Sequence, residues 1–201
     1  MSTLHVTQRA RIHALQVIGL LVACAFFITK PILDGRAHEY LELAGFGLAI
    51  ICVAGRAWSI LYVGAHKNRR LITAGPYSVT RNPLYFFSTI GAAGIGLIFG
   101  SLIAAAILGL VSYLVLTGAA EKEAAHLRTL FGAQYDAYAR QTPLFWPRLS
   151  LYSDPEEVTF STEALRRTAI DGLAFLFAFP VLEGIEYLQA GGVLPILLRV
   201  F

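Results

Sequence analysis

Charge is what this chain has least of. Only 14% of its 201 residues are Asp, Glu, Lys or Arg, while 56% are hydrophobic; soluble domains carry about a quarter charged residues. The shortage is concentrated. From Leu84 to Ala120 no side chain is charged, and as one helix that run would reach roughly 56 Å against a hydrocarbon core of about 30 Å. A soluble globular domain is excluded, and the run requires two spans that reverse near Phe99, Gly100 and Ser101. Cysteine is scarce as well. Cys24 and Cys52 both lie in apolar runs, which argues against a disulfide or a metal pair and for small core residues. The five His and two Cys residues show no ligand spacing, so no metal site is implied. GAAGIG at 91–96 lacks the G-x-G-x-x-G spacing and has no strand before it, which removes the dinucleotide loop. Repeats and low-complexity segments are absent too.

What is present is a series of apolar runs separated by basic segments. The runs predict an all-α, polytopic membrane helical bundle in one domain, with about five transmembrane helices at 14–33, 41–63, 84–99, 102–120 and 168–188. Lys and Arg gather at Arg9 and Arg11, at Lys67, Arg69, Arg70 and Arg81, and through 121–167. The opposite-side segments hold only Lys30, Arg36 and Arg199. The positive-inside rule then puts the N-terminus, the 64–83 loop and the 121–167 segment in the cytoplasm. Because the basic residues alternate with apolar spans, the net charge of +3 reports topology and not nucleic-acid binding. LVAC at 21–24 has the look of a lipoprotein processing site, but the chain continues AFFITKPIL where such a protein turns polar.

Within the second span Arg56 lies too deep to snorkel comfortably. An unpaired charge there costs at least about 2.5 kcal/mol, so it marks either a structural ion pair or a contact to an anionic substrate. Ala92, Gly96 and Gly100 recur at four-residue spacing and predict close helix packing on one face. Beyond the fourth span, Ala120, Glu123, Leu127, Leu130, Phe131, Gln134 and Tyr138 follow a helical stripe. That stripe predicts a cytoplasmic helix that continues the span or lies on the membrane surface, with a bend at Gly132. Glu123 stands on the apolar stripe, where a carboxylate must find a partner or change its protonation. Phe145 and Trp146 place 141–149 against the interface, 150–167 reads as a polar loop, and GGVLPILLRVF at the C-terminus is too short to cross.

The most specific stretch is AGPYSVTRNPLYFF at 74–87. Asn82 and Pro83 suit the cap and first position of a helix, and Gly75-Pro76 forces a turning backbone just before it. A helix N-terminus with Arg81 beside it suits a carboxylate or phosphate. Tyr77 and Tyr85 offer flat faces to an aromatic ring or a cation, and Glu123 could face an amine or a sulfonium. A ligand with an amino acid head, a cationic centre and an aromatic base has all the matching parts; S-adenosylmethionine is one.

GPYSVTRNPLY at 75–85 resembles the G-P-Y-x-x-x-R-H-P-x-Y element of the isoprenylcysteine carboxyl methyltransferase family, which includes bacterial relatives and phospholipid-methyltransferase-like proteins. EKEAAHLRTLFGAQYDAYARQTP at 121–143 resembles that family's E-E-x-x-L-x-x-x-F-G-x-x-Y-x-x-Y element, with Glu123, Leu127, Phe131, Gly132, Tyr135 and Tyr138 in matching places. Asn82 stands where the pattern has His, and Ala124 where it has a second Glu. The resemblance implies an S-adenosylmethionine-dependent methyltransferase of the bacterial inner membrane, with a cytoplasmic cofactor region at 64–83 and 121–149. Gly75, Pro76, Tyr77, Arg81, Asn82, Pro83, Tyr85 and Glu123 would form the cofactor site. Glu123, Arg81 and Arg140 would serve catalysis, and Arg56 would hold an anionic acceptor. The acceptor would be a membrane lipid or another lipophilic molecule entering from the bilayer. Two competing expectations are a membrane reductase of related fold using a nicotinamide nucleotide, and a lipid-binding module without enzymatic activity.

Overall fold

The structure, a computed structural model, describes residues 26–33, 35–64 and 70–200. Most of the predicted first span, with Arg9, Arg11 and Cys24, lies outside the described residues, as do Lys67 and Arg69. The elements in chain order are β1 (Thr29–Pro31), α1 (Arg36–Val63), the single turn α2 (Pro76–Val79), α3 (Pro83–Ile98), α4 (Leu102–Phe131), α5 (Ala133–Gln141), a 3-10 turn at Leu149–Leu151, α6 (Thr162–Ala190) and β2 (Leu198–Val200). The protein is a membrane helical bundle. α1, α4 and α6 are long and apolar enough to cross a membrane, and α3 is a shorter apolar helix.

α4 shows why the surrounding medium must be lipid. Ile103, Ile107, Leu110 and Leu114 stand on one face of it, 49–61% exposed, and such a stripe is tolerable only against hydrocarbon. The helix is also longer than a span needs. At 1.5 Å per residue its 30 residues reach roughly 45 Å, so its charged last turns, from Glu121 onward, stand beyond the bilayer.

Glycine sets the spacing of the bundle. A Cβ at Gly45 of α1 would lie 2.5 Å from the Ile98 nitrogen, and one at Gly94 of α3 would lie 2.9 Å from the Gly45 carbonyl oxygen. The two backbones therefore touch, as small residues allow in membranes. α6 packs on the other side of α1, where Gly172 meets Val53, and Pro180 sits inside the continuous α6 helix.

Three expectations need correction. The small residues of α3 serve several neighbours and not one face: Gly91 and Gly94 meet α1, and Gly96 meets Ala105 of α4. Gly100 is not on the helix at all. With φ at 78° it closes the α3–α4 reversal, and Ser101 caps α4 by accepting from the Ala104 N–H at 3.0 Å. The all-α bundle stands, with one short addition: β1 pairs in parallel with β2 from the C-terminal stretch. That stretch is too short to span and ties itself to the bundle end, helped by Gln189, whose side-chain amide donates to the Phe27 and Thr29 carbonyls. Finally, the 150–167 loop ends early. Ser161 caps α6 by accepting from the Ala164 N–H at 3.2 Å, so 162–167 is already helical.

Candidate functional site

The 75–82 corner is held from behind by the chain that follows α5. The Gly75 N–H donates to the Ser153 carbonyl at 2.7 Å, Arg81 N–H to Pro143 at 2.9 Å, and Arg148 N–H to Val79 at 2.9 Å. Thr80 Oγ1 donates to the Phe145 carbonyl at 2.8 Å, and Tyr138 OH to the Tyr77 carbonyl at 2.6 Å. This lacing corrects the interfacial reading of 141–149. Trp146 is exposed, but Phe145 is 4% exposed and belongs to the strap that fixes the corner. Gly75 is required where it stands. Its φ is 58°, and a Cβ there would fall 2.3 Å from the Tyr62 ring.

In front of the corner lies a cavity of about 360 Å³. Its walls come from the end of α1 (Ile60, Val63), from Arg70, Leu71 and Ile72, from the corner and the start of α3, from α4 and α5, and from the first turns of α6. Five of the expected residues meet on it: Tyr77, Arg81, Asn82, Tyr85 and Glu123. Glu123 accepts from Tyr85 OH at 3.1 Å; among the described residues no cation lies within 4.0 Å of its carboxylate. Arg81 donates to Tyr135 OH at 3.0 Å with its guanidinium carbon 5.9 Å from that ring. Its Nε is buried without a partner among the described residues. Burial, reinforced by the Glu123 carboxylate, pushes the Tyr77 phenol up from the ordinary tyrosine value, and burial does the same to Tyr138, opposed by Arg81. Both stay neutral donors.

Gly75, Pro76, Pro83, Arg140 and Arg56 lie off the cavity wall. Gly75, Pro76 and Pro83 shape the corner without lining the cavity, the two prolines being fully buried. Asn82 lies at the cap of α3, but its side chain does not cap the helix. The amide donates instead to the Leu144 carbonyl at 2.9 Å, drawn there by the strap. Arg140 is exposed on α5 and off the cavity wall, because Gly132, with φ at 51°, breaks the helix and turns the stripe. The same break exposes Leu130 and Gln134 and turns Tyr135, 1% exposed, towards Arg81. Arg56 is not on the wall either. It donates to Ser88 Oγ at 2.5 Å and approaches the Phe175 ring, which binds α1 to its neighbours.

Comparison with known proteins adds a family to this geometry. The family model described as phospholipid methyltransferase matches residues 43–134. Over 188 residues the chain is 36% identical to the cobalt-zinc-cadmium resistance protein CzcN of Cupriavidus metallidurans, covering 92% of this chain and 86% of that protein. The chain belongs to the phospholipid methyltransferase family. It is also 34% identical over 145 residues to the nickel-cobalt-cadmium resistance protein NccN of Alcaligenes xylosoxydans xylosoxydans, covering 72% of this chain and 68% of that protein. A more distant relative is the protein-S-isoprenylcysteine O-methyltransferase B of Arabidopsis thaliana, 22% identical over 138 residues, with 63% of this chain and 70% of that protein covered. No solved structure is a significant match. The protein is thus a membrane methyltransferase with a lipophilic substrate.

In this methyltransferase the sequence reading missed one wall entirely. Ala164, Arg167 and Thr168 of α6 face the cavity, outside the stretch that the family model matches. Ser161 as a cap, Glu163 in the first turn and the Glu163–Arg167 pair are ordinary signals of a helix start, and they are visible in the sequence. Ala124 also lines the cavity, so the space of the missing second carboxylate is open.

Proposed function

We propose that this methyltransferase uses S-adenosylmethionine, bound in the 360 Å³ cavity on the cytoplasmic face, and methylates a lipophilic acceptor that reaches the cavity from the bilayer. The observation that carries the reading is that two separate sequence elements, 75–85 and 121–143, converge on one cavity with complementary charges. Arg81, Arg70 and Arg167 supply positive charge, and Glu123 supplies the negative one. The volume is in the range of small-molecule sites, about 300–1,000 Å³. The donor set fits the cofactor. The unpartnered Arg81 Nε suits its carboxylate, Glu123 suits its cationic end, and Tyr77 and Tyr85 suit its planar base.

The bound cofactor supplies an activated methyl group on a sulfonium. Catalysis by the chain is then mainly alignment, since holding two reactants in line can supply much of the rate. Ile60, Val63, Leu84 and Leu127 give the cavity an apolar side for the acceptor. A carboxylate acceptor needs no base. An amine acceptor must lose a proton, and the Glu123 carboxylate is placed to take it. Asn82, which has no titratable group, cannot share that task. The cytoplasmic assignment rests on the positive-inside reading of 64–83 and 121–167, supported by Arg70, Arg81 and Arg167 on the cavity wall.

Transfer of labelled methyl from S-adenosylmethionine into a total membrane lipid extract tests the reading. The expected result is incorporation into an organic-soluble product, at least about 100-fold lower in Glu123→Ala if it both orients and deprotonates. Displacement of a bound nicotinamide nucleotide, with no methyl incorporation, would favour the reductase instead.

A further inference from the structure

The bundle has a second polar centre at the end away from the cavity. His38 and Glu42 stand one turn apart at the start of α1, and Glu186 faces them from the end of α6. His38 Nε2 is 3.2 Å from Glu186 Oε2 and 3.8 Å from Glu42 Oε1. One ligand atom from each of the three lies within 4.8 Å of the other two. A divalent ion bound at about 2.0–2.2 Å from nitrogen and oxygen ligands needs those atoms roughly 3.0–3.6 Å apart. Two of the separations are already near that range, and small side-chain rotations bring in the third.

Three further observations make this more than an acidic surface. A void of about 10 Å³ adjoins the pair, lined by Glu42, Glu186 and Gln189 with Pro31 and the apolar Ile98, Phe99, Leu182 and Ile185, while His38 stands off its wall; it is about the space of a single water-sized particle. The His38 ring is locked in place. A Cβ on Gly100 would lie 2.1 Å from its Nδ1, so the glycine lets the backbone press against the ring while Nε2 faces the carboxylates. Charge is also out of balance. Two carboxylates face the imidazole, Glu183 stands beside Glu42, and among the described residues no Lys or Arg pairs with these acids within 4.0 Å.

We propose that His38, Glu42 and Glu186 form a divalent transition-metal site that joins the start of α1 to the end of α6. One imidazole with two carboxylates suits a borderline ion such as Zn²⁺ or Co²⁺, and two carboxylates neutralise its charge in a half-buried place. The ligands complete less than a full shell, which leaves a position for Glu183 or for water. The site is separate from the cavity and does not depend on the proposed cofactor.

The test uses the full-length protein in detergent, with any affinity tag removed and metal stripped by chelator. It is titrated with Co²⁺, read by visible d–d absorption, and with Zn²⁺, read by elemental analysis after desalting. The expected result is about one ion per chain, an upward shift of the thermal midpoint with Zn²⁺, and loss of both in His38→Ala and Glu186→Gln. His126→Ala, at an exposed histidine of α4, keeps the ion, and S-adenosylhomocysteine affinity is unchanged in His38→Ala. If that variant does not fold, His38→Asn and Glu42→Gln carry the same comparison. No bound ion in the wild-type protein, or full binding in folded variants, would overturn the site and leave a metal-free clasp between two helices.

Discussion

Arg81 and Glu123 have opposite charges, share one cavity and do not touch each other. Each is held by a tyrosine, Tyr135 for the arginine and Tyr85 for the acid, which keeps both available to a ligand with a charge at each end. Arg140, on the neighbouring helix but exposed, is the natural control. Arg81→Ala is expected to weaken S-adenosylhomocysteine binding at least about tenfold, a loss near 1.4 kcal/mol, whereas Arg140→Ala leaves it unchanged; equilibrium binding of the two variants checks this. The phenols give a second prediction. Tyr77 and Tyr138 are pushed up by burial. Below about pH 10, the unfolded tyrosine value, both are protonated in the folded and unfolded chains, and the stabilisation is fully present. As pH rises towards their folded values, the unfolded chain releases protons that the folded chain keeps, and stability falls. Thermal midpoints between pH 8 and 11 should be flat and then decline, less steeply in Tyr138→Phe. That variant also loses the bond to the Tyr77 carbonyl, at a cost of about 1–3 kcal/mol.

At the scale of elements, the site depends on where helices start and stop. The start of α3 at Pro83 and the break at Gly132 were legible in the sequence, because proline and glycine announce themselves through backbone sterics alone. The consequence of the break was not legible. A stripe drawn through Leu130 and Gln134 assumes one continuous helix, and the turn at Gly132 gave the inward place to Tyr135. The role of Asn82 was hidden for a similar reason: its partner is a carbonyl 62 residues away, and no local pattern carries that distance. The α6 wall, by contrast, was legible and was overlooked. Ser161→Ala should cost about 1 kcal/mol and fray the turns that carry Ala164 and Arg167, lowering cofactor affinity without changing the bundle; hydrogen exchange at 162–168 alongside binding would show both effects. Gly75→Ala should be more severe, because a positive φ and the Tyr62 ring both oppose a side chain there. The expected signs are a lowered thermal midpoint and loss of binding.

For the whole molecule, low charge and an uncharged run of 84–120 were enough to give a membrane bundle, since hydrophobic length is a direct reading of bilayer thickness. The short parallel pair of β1 and β2 was not readable, because it joins segments from opposite ends of the chain. The proposed topology puts the cavity and the 142–154 strap inside the cell and the β1–β2 end outside it. Single cysteines at Ser153 and Gly192, with Cys24 and Cys52 replaced by alanine, should therefore label oppositely with a membrane-impermeant maleimide on intact cells. Gly192 should react and Ser153 should not until the membrane is opened; the reverse pattern would invert the proposed orientation.

The elements 75–85 and 121–143 are proposed to build one cofactor cavity. Calorimetric titration of the detergent-purified protein with S-adenosylhomocysteine, alongside Arg81→Ala and Glu123→Ala, tests it most directly. The expected result is micromolar binding that both substitutions weaken in folded samples. Absence of binding to a demonstrably folded wild-type protein, or binding indifferent to both substitutions, would contradict it.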